Sequence, residues 1–258
     1  MLEGKRTPAG SDHATAAYSY PGDLAQFVRD RWRAVPDPPA GVDPLPDAAA
    51  LEGFFAACYQ ASMLREARHG GTVIFIPLEN AGEPSREHPY IDLRYRFADS
   101  RARLSFPDLI VDILNRLAQL YGTADHEQGP RAVGWEEFEA TTDAQIETLD
   151  EALFDVAHLI AGLAAADGAV VMSKDNELLG FGGMISGRLP DVESVGRALD
   201  LEGEKVAEEE TGDVGARHRS AYRLAGALPG SVAVVISQDG GVRWVCQKGG
   251  RVTYWEQE

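Results

Sequence analysis

From Ile146 onward the chain repeats apolar residues at helical spacing, Ile146, Leu149, Leu153, Val156, Ile160 and Leu163. It then passes through Ala166-Asp167-Gly168 straight into Ala169-Val170-Val171-Met172. The apolar period changes from that of an amphipathic helix to that of a buried strand, with only a tight turn between them. A second helix, expected from about Arg217, leads into Ser231-Val232-Ala233-Val234-Val235-Ile236-Ser237, and further strands are expected near 242–247 and 251–255. Upstream, Thr72 to Pro77 reads as a buried strand, and Ile91, Leu93, Tyr95 and Phe97 alternate with polar residues as a half-buried strand does. Pro107 is expected to open a helix with Leu109, Ile110, Ile113, Leu114, Leu117 and Leu120 on one side, and residues 122–142 read as irregular. Lys174-Asp175-Asn176 turns the chain into a strand over 177–185, which an acidic stretch follows. Helices that alternate with strands and end in a meander imply an α/β (α+β) fold, a mixed central β-sheet flanked by helices.

Five prolines between Pro36 and Pro46 mark a stiff linker, so a boundary is expected near residue 46. Residues 1–45 then form an N-terminal extension with a short helix around Leu24, Phe27, Val28 and Trp32, and residues 46–258 form the main domain, beginning with a helix over Leu51, Phe54, Phe55, Cys58 and Met63. Of 258 residues 44% are hydrophobic and 25% charged, which excludes a mainly disordered chain. The net charge of −17 repels polyanions, so nucleic acid is not expected as a partner. No stretch of 18 apolar residues and no basic segment leading into an apolar one occurs, so the protein is expected to be soluble and cytoplasmic, with no membrane partner. Cys58 and Cys246 have no metal-binding or disulfide spacing and read as free buried thiols.

Two motifs carry chemistry. Asp167-Gly168-Ala169 places a carboxylate at a joint between helix and buried strand, where a side chain is displayed on a rigid edge. Gly215-Ala216-Arg217-His218-Arg219 concentrates two guanidinium groups and an imidazole at the expected start of a helix, where free backbone amides also favour an anion. A local positive site in so acidic a chain points to a small phosphate-bearing ligand. Taken singly, the first motif also fits a plain turn and the second a solvated basic cluster. The glycines Gly180, Gly182 and Gly183 lack the spacing of a phosphate-binding loop and read as backbone bending within a strand. His69, His88, His126 and His158 are isolated and read as structural or surface residues.

In this order the two motifs resemble the diadenylate cyclase (DisA-type nucleotide-binding) domain family, marked by a DGA turn and a later GTRHR segment. The preceding helix, the strand from Ala169 to Met172, the helix after Arg219 and the strand Ser231 to Ser237 fall in the matching order, and Gly70-Gly71-Thr72-Val73-Ile74-Phe75 is similar to an early core strand of the family. The resemblance spans roughly residues 50–255 and is strongest in the last ninety. It implies that Asp167 binds Mg²⁺ or Mn²⁺ or helps activate a ribose 3′-hydroxyl. Gly168 and Ala169 would let the nucleotide approach, and Gly215, Arg217, His218 and Arg219 would hold the triphosphate of ATP. It also implies a homodimer or higher homo-oligomer, and a product, cyclic di-AMP, formed with release of pyrophosphate. Three departures are visible. Ala216 replaces the family's threonine, Ser237-Gln238-Asp239 replaces Ser-Glu-Glu so that a second metal carboxylate is either lost or moved to Asp239, and the interval between the motifs carries the acidic run Glu202 to Glu210, read as a solvated loop able to cover the site. These departures also suit a related sensor that binds a nucleotide, or a cyclic dinucleotide, without turnover.

Overall fold

Strands with both faces covered need apolar residues throughout, and three runs satisfy this: Gly71–Ile76, Ala169–Ser173 and Val232–Ile236 are buried along their whole length. They lie at the centre of the computed structural model, which describes residues 42–43, 70–77, 88–121, 131–132, 135–164, 166–174, 176–187, 189–200, 203–237 and 241–257. In chain order the elements are β1 (Val42–Asp43), β2 (Gly71–Ile76), β3 (Ile91–Arg96), α1 (Ser100–Tyr121), β4 (Arg131–Ala132), α2 (Trp135–Ala140), α3 (Ala144–Ala164), β5 (Ala169–Ser173), β6 (Leu178–Ile185), β7 (Ser194–Ala198), β8 (Val206–Glu210), α4 (Ala216–Ala227), β9 (Val232–Ile236), β10 (Val242–Lys248) and β11 (Arg251–Gln257). Nine strands form one sheet in the order β3-β6-β5-β2-β9-β10-β11-β7-β8. The β2–β5 and β11–β7 pairs are parallel and the others antiparallel, so this is the mixed α/β sheet expected.

Alternation along the central strands divides the core into two layers. Val73, Phe75, Val170, Met172, Val232 and Val234 meet α1, α2 and α3 through Ile110, Ile113, Leu117, Phe138, Leu153 and Ile160. Ile74, Ile76, Ala169, Val171, Ala233 and Val235 face the other way, onto Ala221, Tyr222, Leu224 and Ala225 of α4. The sheet is thus sandwiched between α1–α3 and α4. No helix among the described residues is long and apolar enough to cross a membrane.

Four expectations need correction. The helix expected at Pro107 begins at Ser100, because Asp99 supplies its cap: its carboxylate accepts from the Arg101 amide at 2.9 Å and its carbonyl from the Arg103 amide at 3.1 Å. Pro107 lies inside the helix, where its missing amide removes one bond without ending it. Residues 122–142 are not wholly irregular, since they hold β4 and α2, and β4 pairs with β1 upstream of the boundary expected at residue 46. The run Glu202 to Glu210 is no loop over its second half. Val206–Glu210 is strand β8, paired along its length with β7, itself not foreseen. In β3 the alternation fades, with only Ile91 fully buried, because the strand lies at the sheet edge. The helices expected around Phe27 and Leu51 lie outside the described residues.

Asp143 fastens α3 to α1. Its carboxylate accepts from the Gln145 and Ile146 amides at the start of α3, and both oxygens receive the Arg116 fork at 2.9 and 2.6 Å. The Arg116 hydrogen bond, with help from those amides, holds the carboxyl down at about 2 against an ordinary 3.8. A carboxyl whose folded value is depressed stabilises the fold fully above its unfolded value and loses that stabilisation as pH falls through the folded one. Asp143→Ala should therefore unfold at lower denaturant than wild type at neutral pH, with the gap closing between about pH 4 and pH 2. A gap of constant size across that range in urea titrations would rule out this role.

Candidate functional site

The turn from α3 to β5 is held by glycine. Gly168 has φ +105°, and a Cβ there would sit 2.6 Å from the Gly182 carbonyl carbon. On β6, Gly182 also has positive φ, +67°, where the β5–β6 ladder shifts register. What the Gly168 position admits is thus the backbone of β6, and Asp167 is left exposed at the tip. The Ala169 side chain is buried in the α4-side core. Gly180 likewise admits the Tyr95 carbonyl, as a bending role for these strand glycines requires.

Helix α4 starts at Ala216 after Gly215, an extended N-cap whose lack of a side chain leaves the first amides without a side-chain cap. No acidic residue occupies the first turn. Gly215, Ala216 and Arg217 are exposed, and nothing lies within 4 Å of a Cβ built on Gly215. Arg219 is partly committed, since its Nη2 donates to the Gly212 and Val214 carbonyls at 3.1 and 3.2 Å and braces the loop that enters the helix. His218 is half-buried, its ring 6.4 Å from that of Tyr222.

Beneath this turn lies a network that reading single motifs does not disclose. Arg243 donates to the Tyr222 hydroxyl at 3.2 Å and to Glu256 at 2.8 Å, and its guanidinium lies 4.6 Å above the Tyr254 ring centroid. Tyr254 donates to Glu209 of β8, which also receives Arg197 at 2.9 Å. Burial opposes the Arg243 charge but is outweighed by Glu256 and the two tyrosines, so the group is held above its ordinary value. Burial, and for Tyr254 the bond to Glu209, raise both phenols, which therefore stay protonated at neutral pH. Burial likewise pushes the free Cys246 thiol up to about 11, an inert value.

Register places the two motifs at one end of the sheet. Val170, Val73, Val234, Trp244 and Trp255 form a row across β5, β2, β9, β10 and β11. Asp167 and Arg243 lie beyond it on the same side, where β5 begins and β9 ends. A Cβ on Gly226 would approach Val252 at the opposite end, and Tyr222 reaches Arg243, so α4 points its N-terminus toward the Asp167 end. Three strand spacings, about 14 Å, separate β5 from β10. Ala169 of the first motif and Tyr222, one turn after the second, both pack in the core layer that faces α4.

No family model, no curated protein and no solved structure matches this chain.

What the end of the sheet offers is the exposed Asp167 carboxylate, a helix N-terminus without a side-chain cap and the guanidinium groups of Arg217 and Arg219, a set suited to an elongated anion. The described residues contain no group of three histidine, cysteine or acidic side chains placed to hold a metal. Asp239 lies outside the described residues, as do His69, His126 and Cys58. His88 accepts from the Tyr90 amide at 3.2 Å and the His158 ring packs at a tilt against Phe154, so both have structural contacts.

Proposed function

We propose that the chain is a diadenylate cyclase-like cytoplasmic protein that condenses two ATP into cyclic di-AMP with release of pyrophosphate. The observation that supports this most is that the Asp167 turn and the Arg217-His218-Arg219 turn lie at one end of the sheet, although fifty residues separate them in sequence. The triphosphate would lie against the first turn of α4, with Arg217 and His218 donating to its oxygens and Gly215 leaving the amides open. The ribose would then extend toward Asp167. Attack of a 3′-hydroxyl on an α-phosphorus needs a supported nucleophile, neutralised phosphate charge and a leaving group held in line.

Mg²⁺ fits this donor set, because a magnesium ion that shares nucleotide phosphates needs only one or two protein carboxylates. Asp167 would provide one, and the resemblance assigns Asp239 the other; Mn²⁺ would be held by the same groups. When bound, the ion supplies charge neutralisation at the phosphates. One domain holds one ATP, so turnover requires two copies whose sites face each other.

Binding without turnover is favoured by the engagement of Arg219 with its own loop and by the absence of a hydroxyl at Ala216. Incubating the protein with ATP and either metal, then separating the products, tests the choice. Cyclic di-AMP and pyrophosphate support the cyclase, and saturable ATP binding without product supports the sensor. If neither binding nor product is detected, the nucleotide reading fails. For either reading, Arg217→Ala should weaken ATP binding by about 1.5–3 kcal/mol, the range for a hydrogen bond to a charged group. Equal calorimetric affinities would take Arg217 out of the site.

A further inference from the structure

One row of side chains crosses the α4 face of the sheet at the end that carries Asp167. Register sets Thr72 of β2 opposite Val235 of β9, Val235 opposite Arg243 of β10, and Arg243 opposite Glu256 of β11. Val73 stands beside Val170, so Thr72 stands beside Ala169, two residues after Asp167. Ile74 and Ile76 pack on the α4 side, and alternation along β2 turns Thr72 the same way. The row therefore runs from the Asp167 turn to Arg243, whose partner Tyr222 belongs to α4.

Within Gly71–Ile76 only Thr72 has a polar side chain. It is 7% exposed, and among the described residues its hydroxyl has no hydrogen-bond partner. A strand that had only to fill this position would be served better by valine, which has nearly the same shape and no hydroxyl to desolvate. Arg243 has a donor to spare as well. Its Nε is given to Glu256 and its Nη1 to Tyr222, while the Tyr254 ring covers one face of the guanidinium. Among the described residues Nη2 has no acceptor. The guanidinium is thus held in place before any ligand arrives, which lowers the entropy lost when Nη2 takes an oxygen. Thr72 and Arg243 can both donate, one from a hydroxyl and one from a cation, and a phosphate oxygen is the acceptor that suits both.

We propose that Thr72 and Arg243 form the floor of the polyphosphate site at the start of α4, the Thr72 hydroxyl and Arg243 Nη2 each donating to a phosphate oxygen. This deepens the nucleotide reading and rests on it for the placement of the phosphates. Two strand spacings, about 10 Å, separate β2 from β10, so a chain of linked phosphates spans the two groups better than a single phosphate does.

Calorimetry of the full chain with ATP and with inorganic triphosphate tests the proposal. Thr72→Val should weaken both ligands at least about tenfold, the lower end for a hydrogen bond to a charged group, and Thr72→Ser, which keeps the hydroxyl, should bind within about twofold of wild type. Arg243→Lys keeps the charge, but a compact ammonium cannot take the places of Nε, Nη1 and Nη2 together, so it should also weaken both ligands at least about tenfold. Should Arg243→Lys fail to fold, the Thr72 pair decides. Wild-type affinity in Thr72→Val or Arg243→Lys, equal losses in Thr72→Val and Thr72→Ser, or a loss confined to ATP would each overturn the proposal. ATP binding that is lost in Arg217→Ala but kept in Thr72→Val and Arg243→Lys would overturn it and leave the nucleotide reading intact. Triphosphate binding that depends on Thr72 and Arg243, in a protein that does not bind ATP, would keep these two contacts and sink the nucleotide reading. A wild type that binds neither ligand overturns both.

Discussion

On the cyclase reading, Asp167→Asn should reduce cyclic di-AMP formation by about 100-fold or more while ATP still binds and the protein still folds. The carboxylate is exposed at the tip of a turn shaped by Gly168 and Gly182, so the amide replaces it without disturbing the core. What is lost is a negative charge that can accept the 3′-hydroxyl proton or face a metal, and positioned acid–base groups of this kind contribute about 10²–10⁴-fold. On the proposed reading triphosphate affinity rests on the α4 turn and should change little. The informative pair of measurements is product formation under saturating ATP and calorimetric affinity. Unchanged turnover would remove Asp167 from the mechanism, and equal loss of affinity and turnover would make it a binding group.

Gly168→Ala should be the most destabilising single-methyl change near the site. A non-glycine residue at φ +105° is strained by about 1–3 kcal/mol. The added methyl would also sit 2.6–2.7 Å from Gly182 backbone atoms, which cannot move aside as a side-chain tip can. Overpacking of that kind costs about 1–3 kcal/mol more, so a loss of about 2–6 kcal/mol is expected in urea unfolding. Gly212→Ala is the matched control, because nothing lies within 4 Å of its Cβ position; it should stay within about 0.5 kcal/mol of wild type. If the two variants unfold alike, the turn yields more readily than its geometry implies.

The legible parts of the fold were those where one physical demand acts alone. Ala169 to Met172 and Val232 to Ile236 have to exclude polar residues on both faces, and α3 has to keep an apolar stripe, so each declares itself in sequence. Strand β8 was hidden because an edge needs charge more than it needs apolar residues, and Val206-Ala207-Glu208-Glu209-Glu210 reads like a solvated segment. Pro107 misled because proline suits a first turn, whereas here Asp99 caps the helix and Pro107 is carried within it. At the candidate site the chemistry of Asp167 and Arg217 was readable and their shared end of the sheet was not, since that depends on pairings between distant strands. The Tyr222–Arg243–Tyr254–Glu209 network was equally invisible, because its members come from four elements and none carries a motif.

The central strand β2 has consequences for how the chain reaches this structure. Val73 bonds across to Val170 and to Val234, about 100 and about 160 positions later, so both sides of β2 wait on large loop closures. By contrast β9, β10 and β11 follow one another by short turns, and α4 immediately precedes them. On a ribosome β2 emerges early, and its β9 partner is not made until the last quarter of the chain. Assembly is therefore expected to start from the C-terminal meander and α4, with β2 docking late and folding slowly for a chain of this size. An apolar strand that waits so long in an extended, unpaired state is the segment of this molecule most exposed to aggregation and most in need of chaperone protection during synthesis.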